Sequence, residues 1–138
     1  MKQLFINIPV SDFKKAVPFY RALGFSIHPL FTDQEQIGLV WTDTIFLMLQ
    51  TFSFSNSYLK KEAIDPRKHQ MPSFTLPVES IAAVDEIIRL GIAAGGTEPV
   101  HAIENEYLYL RSIEDIDGYL WGILYLDQDK FQEQKSSG

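Results

Sequence analysis

The sequence lacks cysteine, a long apolar run and an excess of positive charge. Without cysteine, disulfides, thiolate metal sites and a cysteine nucleophile are excluded, and a reducing cytoplasm is the expected location. Because no apolar run approaches the 18 or so residues of a membrane span, we expect no membrane partner. The first residues lead directly into a strand pattern, so we also expect no secretory leader. A net charge of −6 provides no basic face for phosphates, and we expect no nucleic-acid partner.

One strand-and-helix pattern occurs twice in the 138 residues. The strand pattern at 4–10 is followed by a helix cap at Ser11 or Asp12, a helical apolar stripe and a stop at Gly24. The strand pattern at 73–78 is followed by a cap at Ser80, a second helical stripe and Gly95-Gly96. Strand-like segments follow each helix, at about 25–30, 36–41 and 44–51, and at about 98–100, 106–112 and 119–127, with an acidic tight turn at 114–118 between the last two. The sequence therefore predicts two similar modules around a shared cleft.

The domain boundaries follow from this repeat. We predict one domain over residues 1–127, made of a first module at about 2–51, a linker at about 52–71 and a second module at about 72–127. The linker is predicted to be a polar connection with one helical turn, and it is also long enough to be a flap over a site. Residues 128–138 are predicted to be a polar, frayed tail.

Several short motifs occur in an order that resembles the vicinal oxygen chelate superfamily, which includes glyoxalases, extradiol dioxygenases and bleomycin-resistance proteins. They are Ile8-Pro9-Val10-Ser11-Asp12, Phe19-Tyr20, Leu23-Gly24-Phe25, Ala93-Ala94-Gly95-Gly96, Glu114-Asp115-Ile116-Asp117-Gly118 and Trp121. The resemblance implies an α+β fold, in which two tandem βαβββ modules form a curved mixed sheet with a concave cleft and helices on the convex side.

Enzymes of that superfamily hold a divalent metal in the cleft through His, Glu or Gln. Matching the motifs places those four positions at Phe5, Met48, Ser73 and Gly122. None of these residues offers a carboxylate or an imidazole. We therefore expect no metal and no other cofactor, and we assign no catalytic residue. A metal site displaced to His28, His101 and either Glu104 or Glu106 remains an alternative.

Strand alternation predicts which side chains line the cleft. The faces toward the helices should carry aliphatic residues such as Leu47, Leu76, Leu108 and Leu110, together with Trp121. The opposite faces should then carry the ligand-binding residues, and this mixed apolar, aromatic and polar surface suits a small organic molecule. The candidates are Phe5, Asn7, Phe46, Met48, Gln50, Ser73, Thr75, Tyr107, Tyr109, Arg111 and Gly122.

Two alternatives remain open for this face. Phe5, Phe46 and Met48 could fill the cleft, whereas Ser73 and Gly122 should leave room where a metal would sit. Arg111 could recognise an anionic group of the ligand, or it could pair with Glu114 or Asp115 on the surface.

Three classes of function are compatible with these features. The first, which we favour, is a metal-free binding protein for an aromatic or cationic molecule, because aromatic side chains and an acidic surface suit such a ligand. The second is a lyase, isomerase or dioxygenase with a displaced or absent metal. The third is a protein with a closed cleft that acts only through interaction with partners. Since folded proteins avoid open sheet edges, we also expect a homodimer.

Overall fold

The computed structural model describes residues 1–137, and within them the two predicted βαβββ modules are confirmed. The strands of the first module form a mixed four-stranded sheet in the order β1-β4-β3-β2, with β1 parallel to β4. Its elements are β1 (Leu4–Pro9), α1 (Phe13–Ala22), β2 (Ser26–Ile27), β3 (Gln36–Thr42) and β4 (Ile45–Gln50).

The second module repeats this topology in a separate sheet, with the order β5-β8-β7-β6 and β5 parallel to β8. Its elements are β5 (Phe74–Pro77), α3 (Ile81–Ala93), β6 (Ile103–Glu104), β7 (Leu108–Glu114) and β8 (Leu120–Leu126). The predicted α+β class is therefore confirmed, with the strands divided between two sheets that are not closed onto each other.

Both module helices begin at the predicted capping residues. The Asp12 carboxylate accepts a hydrogen bond from the backbone N–H of Lys14 at 2.9 Å, and the Ser80 hydroxyl accepts one from the N–H of Ala83 at 3.0 Å. Each cap satisfies a backbone donor that a helix N-terminus otherwise leaves without a partner. The two chain reversals are thereby fixed at equivalent positions of the two modules.

One hydrophobic core joins the modules. It contains Leu47 and Leu49 from the first sheet, Phe19 from α1, Ile88 from α3 and Trp121 from the second sheet, all of them fully buried. The helices α1 and α3 pack against each other within this core. Each sheet therefore has one face on the core, and we call the opposite face, turned away from α1 or α3, the far face.

Two predicted strands differ clearly from their expected positions. The strand expected at 25–30 stops at Ile27, because Pro29 opens a short 3-10 helix over Pro29–Phe31. Proline has no N–H for a sheet ladder and its φ suits a helical turn. The strand expected at 98–100 is absent from that segment, and its place in the sheet is taken by β6 at Ile103–Glu104.

Two segments predicted to be mainly irregular form helices. The linker opens with α2 (Phe52–Leu59), which is two turns long and is capped by the Thr51 hydroxyl. The predicted frayed tail forms α4 (Gln128–Ser137), whose Phe131 ring lies 5.1 Å from the ring of Tyr107. This contact buries apolar surface that a free tail would expose. Gly138, the last residue of the predicted tail, lies outside the described residues.

Within residues 1–137, no helix combines the length and the apolar character needed to cross a membrane.

Candidate functional site

A cavity of about 420 Å³ lies where the first sheet, the linker and the second module meet. Asn7 and Pro9 of β1 form one side, and Tyr58 of α2 forms another. Met71, from the end of the linker, and Tyr119, which precedes β8, complete the wall. Its volume is in the range of small-molecule sites, and its wall combines apolar surface with a few hydrogen-bonding groups.

The tyrosine at the module boundary fixes one wall of the cavity. The Tyr119 hydroxyl donates a 2.8 Å hydrogen bond to the backbone oxygen of Pro9. Burial, reinforced by the negative charges of Asp115 and Asp117, raises the pKa of Tyr119 above its ordinary value. The phenol therefore remains a neutral donor at physiological pH and holds the two modules together at this point.

The far face of the first sheet is covered by the chain's own aromatic side chains. Phe5 stacks on Phe46 with ring centroids 4.5 Å apart, and Phe31 of the 3-10 helix lies edge-on to both. A Cβ atom on Gly38 would come within 2.5 Å of the Phe31 Cβ, so only glycine lets Phe31 lie this close to β3. His28 stacks on Phe31 at 4.3 Å.

These contacts favour the filled alternative for part of the face. Phe46 and Met48 are buried, whereas Phe5 keeps 41% of its surface exposed at the sheet edge. Of the candidates in this module, Asn7 lines the cavity. Gln50 is buried beside it, and its amide bonds to Gln36 and to the Tyr58 hydroxyl.

The far face of the second sheet carries a row of aliphatic side chains. The strand register puts Leu110 beside Leu124 and Leu108 beside Leu126, with Ile103 of β6 next to Leu110. The second-module candidates Thr75 and Gly122 also lie side by side on this face. Ser73 is exposed just before β5. This face is thus more aliphatic than predicted.

Gly122 has close neighbours in the sheet. A Cβ atom on Gly122 would lie 3.1 Å from the Leu110 methyl and 3.1 Å from the Thr75 hydroxyl. A larger side chain at residue 122 would therefore require one of these two side chains to shift. That Gly122 and Ser73 leave room at the metal positions stays a prediction.

The predicted faces of β7 are inverted. Tyr109 and Arg111 lie on the face toward α3, where the Tyr109 hydroxyl donates to Asp85 at 2.5 Å. Ile113, two residues beyond Arg111 on the same face, is fully buried. Strand alternation predicted the wrong face because both faces of this strand carry apolar side chains. The long apolar parts of Tyr and Arg pack over a core as well as leucine does.

Arg111 forms ion pairs that the sequence did not predict. Its guanidinium binds Glu98 at 2.7 Å and Asp85 at 2.9 Å, rather than Glu114 or Asp115. The hydrogen bonds from Tyr109 and Arg111 lower the pKa of Asp85. Tyr107, on the same side of the strand, contacts Phe131 of α4. Tyr107, Tyr109 and Arg111 therefore lie away from the cavity.

The residues at the superfamily's metal positions do not fit a metal. Phe5 stacks on Phe46, Met48 is buried, and neither Ser73 nor Gly122 provides a strong ligand for a divalent cation. Within residues 1–137, no group of three His, Asp or Glu residues could hold a metal ion. The displaced site at His28, His101 and Glu104 or Glu106 thus has no ligand cluster.

Apart from Asn7, the residues that line the cavity were not among the sequence candidates, and Tyr58, Met71 and Tyr119 are examples. Phe31, which covers the far face of the first sheet, was not predicted either. The spacing of Phe54 and Tyr58, four residues apart, could have indicated the α2 helix, and their rings do lie 5.1 Å apart. Phe31 offered no such signal, because its contacts with Phe5 and Gly38 depend on the sheet that forms around it.

Comparison with known proteins agrees with this fold. Residues 2–40 match the family described as "Bleomycin resistance protein-like N-terminal". No curated protein matches the chain in sequence.

Solved structures extend the likeness to nearly the whole chain. A glyoxalase/bleomycin resistance protein/dioxygenase family enzyme from Burkholderia phytofirmans is 19% identical with a TM-score of 0.75, covering 91% of this chain and 99% of that one. A glyoxalase-related enzyme from Fulvimarina pelagi is also 19% identical with a TM-score of 0.75, covering 91% and 88%. A bleomycin-binding protein complexed with bleomycin is 24% identical with a TM-score of 0.59, covering 91% and 98%.

The fold is like that of solved glyoxalase and bleomycin-resistance structures over nearly the whole chain, and residues 2–40 are bleomycin-resistance-like in sequence. The resemblance predicted from the sequence is therefore confirmed.

Proposed function

We propose that this protein is a metal-free, bleomycin-resistance-like protein that binds a small aromatic or cationic organic molecule. The observation that carries the proposal is the 420 Å³ cavity at the module boundary. Its apolar surface from Pro9, Met71 and the Tyr58 ring suits a planar ligand, while Asn7 and Asn56 provide amides to orient it. The similarity to a bleomycin-binding protein supports a binding role.

The metal-free part of the proposal rests on the donor chemistry of the site. The four positions that would carry metal ligands hold Phe5, Met48, Ser73 and Gly122. The enzymatic alternative is a lyase, isomerase or dioxygenase with a displaced or absent metal. Its displaced-metal form would need a ligand cluster elsewhere in residues 1–137, and none is present there.

A thermal-shift screen tests the binding role. Aromatic cations, phenols and glutathione conjugates should be screened against wild type, and each hit titrated against Asn7→Ala. Asn7 is exposed on the cavity wall, so its truncation should weaken a ligand several-fold and leave folding intact. Gln34→Ala, on an exposed turn away from the cavity, is the matched control.

The outcomes are distinct. Equal affinity of wild type and Asn7→Ala for every hit would place the ligand outside this cavity. The absence of any hit across the three compound classes would favour the interaction-only alternative.

We also propose a homodimer in which a second copy covers the far face of the second sheet. Ile103 is 56% exposed and its aliphatic neighbours on β7 and β8 are half-buried, so together they form a partly exposed apolar row of the kind that interfaces cover. The first module exposes Leu4, Phe5 and Leu30. In a dimer with two-fold symmetry, the apolar surface of each first module would contact the far face of the second sheet in the partner, so the same contact would form twice.

Sedimentation at micromolar protein tests this assembly. Wild type should sediment as a dimer and Leu124→Lys as a monomer, because the lysine places a charge in the aliphatic row. Lys130→Ala, on α4, is a control that should remain dimeric. A purely monomeric wild type would contradict the proposal.

A further inference from the structure

The buried amide of Gln50 has hydrogen-bonding capacity beyond its recorded partners. Gln50 is only 3% exposed. Its Nε2 group donates to Gln36 Oε1 at 3.2 Å, and its Oε1 accepts from the Tyr58 hydroxyl at 3.3 Å. A side-chain amide can make up to four hydrogen bonds. Buried polar groups require partners, so any group that replaces Tyr58 here must also bond to the amide.

Tyr58 is the less firmly held of these two partners. It belongs to α2, outside both sheets, and 45% of its surface is exposed. Its 3.3 Å hydrogen bond is long for an O–H···O contact. Its ring contacts that of Phe54, one turn earlier on the same helix. One long hydrogen bond to Gln50 and a contact within its own helix therefore hold the Tyr58 side chain.

The position of Tyr58 separates the cavity from Gln50. Tyr58 lines the cavity, whereas Gln50 lies behind it and does not. Asn7, Met48 and Gln50 share the far face of neighbouring strands, so the surface behind the Tyr58 ring continues from the cavity wall. If the ring moved aside, the cavity would reach the Gln50 amide.

We propose that Tyr58 occupies a phenol-binding subsite and determines ligand specificity there. A ligand whose aromatic ring carries a hydroxyl would displace the Tyr58 ring and donate its own hydrogen bond to Gln50 Oε1. This inference rests on the proposed binding function and specifies its ligand class as phenolic. The recognition chemistry is that of the tyrosine side chain itself: a flat ring beside Phe54 with an O–H directed at a buried amide oxygen.

The test uses p-cresol, which reproduces the tyrosine side chain, and toluene, which lacks only the hydroxyl. Both are titrated into ¹⁵N-labelled Tyr58→Ala and wild type. The Gln50 side-chain amide signal is followed and is assigned by its loss in Gln50→Met. Since a net hydrogen bond contributes about 0.5–1.5 kcal/mol, Tyr58→Ala should prefer p-cresol over toluene by roughly two- to thirteenfold. The Gln50 signal should move with p-cresol.

A double variant and a milder variant complete the experiment. Tyr58→Ala combined with Gln50→Met should bind the two probes equally. Tyr58→Phe keeps the ring and removes its hydrogen bond to Gln50, so either probe can displace the ring without breaking that bond. Both probes should therefore bind several-fold more tightly than to wild type, and the preference for p-cresol over toluene should persist. If Tyr58→Ala fails to fold, Tyr58→Phe still provides a test of the inference.

Equal affinities for the two probes in Tyr58→Ala, or unchanged p-cresol binding in Tyr58→Phe, would overturn the inference. If p-cresol moves the amide signals of Asn7 and Asn56 but not that of Gln50, the cavity binds p-cresol but the proposed Tyr58 subsite is wrong. If none of the three amides responds in any variant, the phenol subsite is wrong, and the proposed function is then judged by the wild-type screen alone.

Discussion

The phenol of Tyr20 in the first module donates a hydrogen bond to the buried carboxylate of Asp115 in the second, 95 residues further along the chain. The other carboxylate oxygen of Asp115 accepts hydrogen bonds of 2.9–3.0 Å from the backbone N–H groups of Asp117, Gly118 and Tyr119. Gly118 permits this tight turn because its φ of +103° is unfavourable for other residues. One carboxylate thus joins α1 to the turn that carries the cavity residue Tyr119.

Asp115→Asn should remove a pH dependence of stability. Burial raises the pKa of Asp115 to about 6. The unfolded carboxyl, with an ordinary pKa near 3.9, loses its proton first as the pH rises. Between about pH 4 and pH 6 the folded state therefore binds more protons, and this group's contribution to stability falls with rising pH. Two pKa units correspond to about 3 kcal/mol.

Urea unfolding of both proteins from pH 4 to pH 7 measures this effect. The free energy of unfolding of wild type relative to Asp115→Asn should fall across that range, because the asparagine keeps the acceptor oxygen but does not titrate. A difference that stays constant with pH would contradict the raised pKa.

Tyr20→Phe should destabilise the fold by about 1–3 kcal/mol. The variant removes the hydrogen bond that the Tyr20 hydroxyl donates to Asp115. It also removes the acceptor of the Trp121 indole N–H, which donates to the Tyr20 oxygen at 3.1 Å. Buried groups that lose a partner carry their full desolvation cost. Thermal and urea unfolding should show the loss.

Tyr125→Phe is the matched control, because the Tyr125 hydroxyl makes no hydrogen bond within residues 1–137. It should be nearly neutral. Equal effects of the two variants would show that the Tyr20 hydroxyl contributes nothing specific.

The local elements could be predicted because short-range chemistry specifies them. The caps at Asp12 and Ser80 and the stop at Gly24 each depend on a few neighbouring residues, and all three occur in the structure. The acidic turn at 114–118 was likewise predicted, but its partner Tyr20 was not. No local pattern reveals a hydrogen bond between residues so distant in the chain.

The candidate site was harder to predict because burial is decided by tertiary contacts. The aliphatic Leu108 and Leu110 were assigned to the core, yet Tyr109 and Arg111 face α3 instead. In β1 and β4 the alternation was correct, since Ile8 and Leu49 are buried in the core. The difference is that in β7 both faces are apolar enough to pack.

Gly91→Ala and Gly96→Ala should differ in stability although both lie beside Ile113. An added Cβ at Gly91 would come within 2.5 Å of the flexible Ile113 Cδ1 methyl, which can move aside. The variant also gains about 1 kcal/mol of helix propensity, so it should be nearly neutral. At Gly96 the Cβ would lie 2.5 Å from the Phe19 ring and 3.0 Å from the Glu114 backbone oxygen.

Because the packed ring and the backbone cannot yield easily, Gly96→Ala should cost about 1–3 kcal/mol. Urea unfolding of the two variants beside wild type provides the comparison. A Gly91→Ala variant as unstable as Gly96→Ala would mean that Ile113 cannot change its rotamer.

Gly122→Glu should not create a metal site. The variant places a carboxylate at one superfamily position, but Phe5, Met48 and Ser73 still occupy the others, and tight binding of zinc requires at least three protein ligands.

We expect no stoichiometric zinc, nickel, iron or manganese in wild type or variant purified without chelator or metal-affinity resin. Calorimetric titration with zinc should then give the same weak response for Gly122→Glu and for its uncharged match Gly122→Gln. Micromolar or tighter binding by the glutamate variant alone would show that other donors lie within reach of residue 122. Stoichiometric metal in wild type would overturn the metal-free proposal itself.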